Sequence, residues 1–145
     1  AVAAPPTISK TFGAASIPLG GATTLGFVLT NPASNSIPLT GVAFTDNLPS
    51  GLVVASPNGL TATCGGTVTA VAGGSSVSLT GGTLAANAAC AISLNVAGVT
   101  TGTKNNSVQA TSTEGGTGNT SNASVTVLSP PSIEKFFGLV GGLSR

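Results

Sequence analysis

The segment Cys90-Ala91-Ile92-Ser93-Leu94-Asn95-Val96 places a large apolar or sulfur-containing side chain at every second position, with Ala, Ser and Asn between them. Successive side chains of a β-strand point to opposite faces, so this pattern predicts a strand with one buried and one exposed face. No segment of the chain shows the 3.6-residue periodicity of an amphipathic helix. We therefore expect an all-β protein.

The same alternation recurs in shorter segments that are separated by Gly, Pro and Asn. In the first of them Ile8, Lys10 and Phe12 share one face, and we expect the Lys10 ammonium to extend along that face to the rim of the sheet. In the second we expect Leu25, Phe27 and Leu29 to point inward. Short strands separated by turns are typical of a β-sandwich. The predicted strands are Thr7–Phe12, Thr23–Thr30, Thr67–Val71, Ser76–Thr80, Lys104–Thr113 and Ala123–Leu128, the third and fourth forming a hairpin around Gly73-Gly74.

The composition indicates one weakly charged domain. The 145 residues fit a single core, and the 41% of hydrophobic residues provide enough apolar surface to fold. Only 5% of the residues are charged, against about 25% in an ordinary soluble domain. Low charge leaves little repulsion between copies and favours association.

The inventory of titratable side chains argues against catalysis. The chain has no His and no Tyr, and its three acidic residues are Asp46, Glu114 and Glu134. General acid–base chemistry has few groups to use, so we expect no enzyme activity and no cofactor. Asp46 precedes a turn, where Asp commonly bonds the local backbone, and this is its expected role. The alternative is that Asp46 or Glu114 is a calcium ligand.

Two classes of partner are also disfavoured. Four scattered Lys and Arg residues form no basic stripe, and the chain has neither Tyr nor Trp to stack on bases, so nucleic acid is not expected as a partner. No run of 18 apolar residues exists, so membrane insertion is not expected.

The two cysteines, Cys64 and Cys90, favour a disulfide and an oxidising, extracellular location. Two buried free thiols are the alternative. The opening Ala1-Val2-Ala3-Ala4 is similar to the start of a mature chain behind a small-residue cleavage site, which agrees with secretion.

The end of the chain repeats its beginning. The segment Pro130–Gly138 matches Pro5–Gly13 at six of nine positions, an offset of 125 residues (130 against 5). We interpret residues 1–129 as one sandwich repeat and residues 130–145 as a tail that resembles the first strand of a following repeat. A lone strand cannot bury its own apolar side chains, so this tail needs a partner.

The tail is apolar on both faces, because Phe136 stands where the first copy has Thr11. Addition of such a strand to a neighbouring copy would bond its backbone and bury its side chains. The alternatives are that the tail folds back on its own domain or begins another repeat of a tandem array. The residues predicted to make the contact between subunits are Ile133, Lys135, Phe136, Phe137, Leu139 and Val140.

Several short motifs carry a family resemblance. The turn Asp46-x-Leu-Pro-x-Gly-Leu52 follows a Gly-Val-x-Phe strand, and the opening Pro-Pro-x-Ile-x-Lys-x-Phe, the Cys64-Gly65-Gly66 step and the Ala88-Ala89-Cys90 strand accompany it. In this order, across residues 5–128, the chain resembles the immunoglobulin-like repeats of bacterial and archaeal surface proteins. The resemblance implies an immunoglobulin-like antiparallel β-sandwich on a prokaryotic cell surface or in a secreted polymer, without enzymatic activity.

Some surface adhesins join a Lys and an Asn side chain spontaneously in an isopeptide bond, which needs a buried Lys beside an Asn and a carboxylate. Lys10 or Lys104, an Asn and Glu114 supply these residue types. Their spacing does not place them together, so the bond stays a hypothesis that an intact mass lower by one ammonia would support.

These observations predict a structural subunit of an extracellular filament or surface fibre. It would polymerise with itself, head to tail, by donating its C-terminal strand to a neighbouring subunit. The alternative is a passive spacer or adhesion module of a tandem-repeat surface protein, with a ligand that the sequence does not identify. A carbohydrate-binding module is a third interpretation, which the absence of Tyr and Trp disfavours.

Overall fold

A computed structural model of the chain describes residues 3–130. Over this range the chain forms strands joined by turns and contains no helix, so none that is long and apolar enough to cross a membrane. The strands are β1 (Thr7–Phe12), β2 (Ser16–Pro18), β3 (Ala22–Thr30), β4 (Leu39–Asn47), β5 (Leu52–Val54), β6 (Thr61–Ala62), β7 (Thr67–Thr69), β8 (Ser76–Leu84), β9 (Ala89–Gly98), β10 (Gly102–Ser112) and β11 (Gly116–Leu128).

The strands form two sheets that face each other. The first sheet has the order β1-β3-β9-β5, with β6 also paired to β9, and the second has the order β2-β11-β10-β4-β8-β7. The chain passes from the first sheet to the second between β1 and β2, and β2 pairs in parallel with β11. All other pairings are antiparallel among the strands described. The fold is the expected all-β, immunoglobulin-like sandwich.

The core lies between the sheets and is built from the predicted alternation. In β3 and β9 the inward residues face each other in register: Leu25 with Leu94, Phe27 with Ile92, and Leu29 with Cys90. All of them are buried. The Phe27 ring also reaches across to Phe44 of the second sheet, with 4.7 Å between ring centroids. The inward faces predicted for these strands are therefore confirmed.

The disulfide closes one side of the sandwich. Cys64, in the segment between β6 and β7, is bonded to Cys90 on β9, with 5.0 Å between their Cα atoms. The Cys64 carbonyl also accepts a hydrogen bond from the Thr83 amide of β8 at 3.1 Å. The segment that carries Cys64 is thus held to both sheets.

The two ends of the described chain lie at opposite ends of the sandwich. Ala4 and Pro5 pack against Gly115, where an added Cβ would lie 2.5 Å from the Ala4 carbonyl oxygen. Gly115 immediately precedes β11, whereas residues 129–130 follow its end. A strand of 13 residues is about 40 Å long at about 3.3 Å per residue. The chain therefore enters at one end and leaves at the other.

Candidate functional site

The candidate site begins with Lys10, which lies at the centre of β1 between Ile8 and Phe12. Only 3% of the residue is exposed, and its ammonium forms an ion pair with the Asp46 carboxylate. The prediction that Lys10 extends to the rim is therefore wrong. A buried counter-charge compensates the ammonium where it lies, so the side chain does not need to reach water.

Asp46 lies on β4 and faces the core in alternation with Val42, Phe44 and Leu48. It is fully buried. Its Oδ2 accepts from the Lys10 ammonium, and its Oδ1 accepts from Asn106 Nδ2 at 2.7 Å. The expected bond to the local turn backbone is not among its contacts in the described chain. The register of β4 turns the carboxylate inward, away from that turn.

The third member is Asn106 of β10, which is 6% exposed. Its Nδ2 also donates to the Asn47 carbonyl oxygen at 3.1 Å, so both amide hydrogens have acceptors. Its Oδ1 is buried without a hydrogen-bond donor among residues 3–130. The amide is therefore held by its nitrogen, with the carbonyl side unbonded.

The surroundings of this group are apolar and aromatic. The Lys10 ammonium lies 4.9 Å from the centroid of the Phe27 ring and 5.4 Å from that of Phe12. Burial lowers the pKa of Lys10 from its ordinary value, and the hydrogen bond and charge of Asp46 oppose that shift only in part. The site thus favours a less basic lysine than one in water.

The outer edge of β1 is fixed by side chains of β11. Asn119 Oδ1 accepts from the Ile8 amide at 3.0 Å, and Asn119 Nδ2 donates to the Ile8 carbonyl oxygen at 3.1 Å. Ser121 Oγ accepts from the Lys10 amide at 3.0 Å. These bonds replace a neighbouring strand and fix the backbone from which the Lys10 side chain enters the core.

Glu114, which the sequence offered as the carboxylate beside a lysine, lies elsewhere. It lies half-buried in the turn between β10 and β11, and its carboxylate accepts from the Thr40 amide at 2.7 Å and the Thr40 hydroxyl at 2.5 Å. These bonds, the hydroxyl first, lower the pKa of Glu114. Glu114, which the sequence offered only as a residue of the right type, therefore bonds Thr40 and forms no ion pair with Lys10 or Lys104 among the described residues.

Lys104 is the second buried lysine, and it has no carboxylate partner in the described chain. Its ammonium donates to Thr100 Oγ1 at 2.8 Å and to the Thr101 carbonyl oxygen at 3.2 Å. It faces inward from β10, two residues before Asn106. The two buried lysines therefore differ in their partners, since Lys10 meets a carboxylate and Lys104 meets neutral oxygen atoms.

The sequence contained a signal that could have identified the three-residue site. Lys10, Asp46 and Asn106 each occupy an inward position in the alternation of its strand. Three polar residues at inward positions of different strands need partners, and each can partner the others. What the sequence does not contain is the register that brings them together.

The remaining predictions concern metal binding by Asp46 or Glu114 and the contacts of the tail. Among residues 3–130 no group of three or more His, Cys, Asp or Glu side chains could hold a metal ion, so neither Asp46 nor Glu114 belongs to such a cluster. Residues 131–145 of the tail lie outside the described residues, and their contacts stay predictions. These are the contacts of Ile133, Lys135, Phe136, Phe137, Leu139 and Val140.

The comparisons with known proteins concern family and fold. A family model described as a domain of unknown function (DUF7933) matches residues 6–127. No curated protein sequence matches the chain. The resemblance to surface-protein repeats that carry the Asp-x-Leu-Pro-x-Gly-Leu turn stays a prediction.

Several solved structures resemble this fold. BslA, a bacterial hydrophobin, is 17% identical with a TM-score of 0.57, over 91% of this chain and 99% of that one. BcpA, the major pilin subunit of Bacillus cereus, is 16% identical with a TM-score of 0.56, over 84% of this chain and 39% of the pilin. The collagen-binding domain of a Staphylococcus aureus adhesin is 12% identical with a TM-score of 0.52, over 82% of this chain and 96% of that one. At these identities the likeness is one of fold.

Proposed function

The chain belongs to the DUF7933 family of domains of unknown function, and we propose that this member is a secreted structural subunit of an extracellular filament or surface fibre. Subunits would join head to tail, each donating its C-terminal strand to the next. We also propose that it acts on no external substrate. Three observations support the proposal of a secreted structural subunit. They are the disulfide, the low charge and the likeness in fold to a pilin subunit and an adhesin domain.

The observation that carries the proposal is the placement of the two ends of the domain. Residues 4–6 lie beside the start of β11 and residues 129–130 follow its end. A segment that leaves at the second end and binds a neighbour would stack the domains along one axis. A contact between different surfaces of identical subunits gives open filaments unless it closes into a ring.

The repeated segment supplies the strand to be donated. Its first copy is β1, an edge strand with Ile8 and Lys10 buried and Thr7, Ser9 and Thr11 exposed on the other face. The second copy has Phe136 at the position of Thr11. A strand of this kind needs a site that covers both of its faces. The β1 position of each domain is already filled by its own β1, so we place the donated strand at a different site of the neighbour.

Exposed apolar side chains mark the end from which the tail leaves. Leu19 and Leu128 are adjacent, since the Leu19 amide donates to the Leu128 carbonyl oxygen at 2.9 Å. Val99 follows Gly98, whose carbonyl oxygen accepts from the Gly20 amide at 2.8 Å. Leu19 is 40% exposed, Leu128 is 49% exposed and Val99 is 53% exposed. A neighbouring domain seated at this end would cover them.

Deletion of residues 130–145 tests the proposal. We expect the purified full chain to form filaments in negative-stain electron microscopy and the shortened chain to stay monomeric with an unchanged β-sheet circular dichroism spectrum. Phe136→Thr, which restores the residue of the first copy, should weaken assembly while leaving the domain folded. Filaments of unchanged abundance from the shortened chain would overturn strand donation.

The offset of 125 residues between the two copies favours one alternative, a spacer or adhesion module of a tandem array. In that case the tail would begin the next domain of the same chain. The full chain would then sediment as a monomer at every concentration tested. A longer polypeptide that supplies the following repeat would bind residues 130–138 within that repeat.

A further inference from the structure

We propose that the Lys10 and Asn106 side chains become joined by an intramolecular isopeptide bond, with Asp46 as the general acid and base. The bond would form within one folded domain. The proposal is therefore independent of filament assembly, and each can fail without the other.

The geometry that supports this proposal is the sharing of one carboxylate. The Lys10 ammonium, which becomes the nucleophile, is bonded to Asp46 Oδ2. Asn106 Nδ2, which becomes the leaving group, is bonded to Asp46 Oδ1 at 2.7 Å. A single group thus contacts both the nitrogen that must lose protons and the nitrogen that must gain one, which is the arrangement that proton transfer requires.

The surroundings favour attack by a neutral amine. The side chains of Lys10 and Asp46 are both 0% exposed, so water does not compete for either group. Burial lowers the pKa of Lys10, and a lysine desolvated in an apolar pocket is an activated nucleophile. The strands that carry the three residues are fixed by the two sheets, so the reacting groups are held together without further loss of freedom.

The reaction balances without an added reagent. Lys10 passes one proton to Asp46, and the Nζ lone pair then forms a bond to Asn106 Cγ while the carbonyl π electrons move to Oδ1. Asp46 gives its proton to Nδ2 and accepts a second proton from Nζ. The Cγ–Nδ2 bond breaks, ammonia leaves, and Asp46 remains protonated beside the new amide. Nothing is oxidised or reduced.

The product connects the two sheets. Lys10 belongs to β1 of the first sheet and Asn106 to β10 of the second. The bond also removes both charges of the buried Lys10–Asp46 pair from the core, where charged groups are costly to bury. Lys104 provides an internal contrast, because its ammonium is bonded to a hydroxyl and a backbone carbonyl and meets no carboxylate in the described chain.

The intact mass of the folded wild-type chain tests the proposal. The disulfide is first reduced, and we expect a mass lower than that of the sequence by one ammonia. Trypsin should then fail to cut the denatured chain after Lys10 while still cutting after Lys135, and fragment spectra should contain a branched peptide that joins Lys10 to Asn106. A mass equal to that of the sequence would overturn the proposal, as would an ammonia loss located at any other pair of residues.

Three variants complete the test. Lys10→Arg retains the positive charge without a nucleophilic amine, and Asp46→Asn removes the proton acceptor, so both should have the full mass expected for their sequences. Lys104→Arg is the matched control and should lose ammonia as the wild type does. Ammonia loss retained in Lys10→Arg would overturn the proposal. Because the wild-type mass is measured on its own, a variant that does not fold leaves the test intact.

Discussion

Asp46 and Glu114 are two carboxylates next to turns, and their surroundings are opposite. Asp46 is fully buried, where it binds a lysine and an amide from two other strands. Glu114 is only half-buried, and the amide and hydroxyl of Thr40 donate solvent-exposed hydrogen bonds to its carboxylate. From the sequence we expected Asp46 to bond the backbone of its turn, and Glu114 was only one candidate carboxylate for a contact with a lysine. The face that a strand presents, and not the nearby turn, decided where Asp46 lies.

The largest difference should appear when each carboxylate is removed. Asp46→Ala leaves the Lys10 ammonium buried without a counter-charge, and loss of one partner of a buried ion pair costs about 3–5 kcal/mol of the free energy of unfolding. Glu114→Ala loses only exposed hydrogen bonds and should change stability much less. Urea unfolding of the two variants measures the difference. Equal losses would contradict the contrast between the two sites.

Replacement of the whole buried site should be milder than removal of Asp46 alone. In the triple variant Lys10→Met, Asp46→Leu and Asn106→Leu, no charge remains unpaired, so we expect the part of the Asp46→Ala loss that comes from the unpaired ammonium to return. If the wild type has the Lys10–Asn106 amide bond, the triple variant should still be less stable. The deficit is then the entropy of closing a loop of about 100 residues, about 4–5 kcal/mol in the chain-entropy model. Stability equal to that of the wild type would indicate that no such bond contributes.

The smallest expected effect is the pH dependence of the stability that the Glu114 carboxylate contributes. Its pKa is lowered from 4.5 in the folded chain, so the folded state prefers the ionised form. The contribution to stability is therefore present above pH 4.5 and is lost as the pH falls through the lowered pKa of the folded state. The difference in melting temperature between the wild type and Glu114→Gln should shrink over that interval. A difference in melting temperature that grows as the pH falls would contradict a lowered pKa of Glu114 in the folded state.

Much of the fold followed from the sequence because it depends on local alternation. The inward positions of Leu25, Phe27 and Leu29 and of the strand that begins at Cys90 were predicted from period-two patterns and are confirmed. The hairpin around Gly73-Gly74 was predicted from turn chemistry, and β7 pairs with β8 as expected. These features are decided by residues that are close in the chain.

The candidate site did not follow from the sequence because it depends on long-range register. Lys10, Asp46 and Asn106 lie on three strands, and β1 and β4 belong to different sheets. A one-residue slip of β4 would turn Asp46 outward. The charge of Lys10 was expected to seek water, since no local residue offered it a partner. Only the packing of the two sheets supplies that partner.

The parallel pairing of β2 with β11 has a mechanical consequence. Ser16, Ile17 and Pro18 lie beside Thr126, Val127 and Leu128, and the two strands run in the same direction. In a domain without the Lys10–Asn106 bond, tension that enters before β2 and leaves after β11 slides one strand along the other, whereas the bond would pass the load from β1 to β10 and bypass β2. The hydrogen bonds between them lie across the direction of pull and must break together, whereas a hairpin pulled from its open end separates one bond at a time. The β2–β11 pairing would therefore resist such sliding more strongly than a hairpin resists opening.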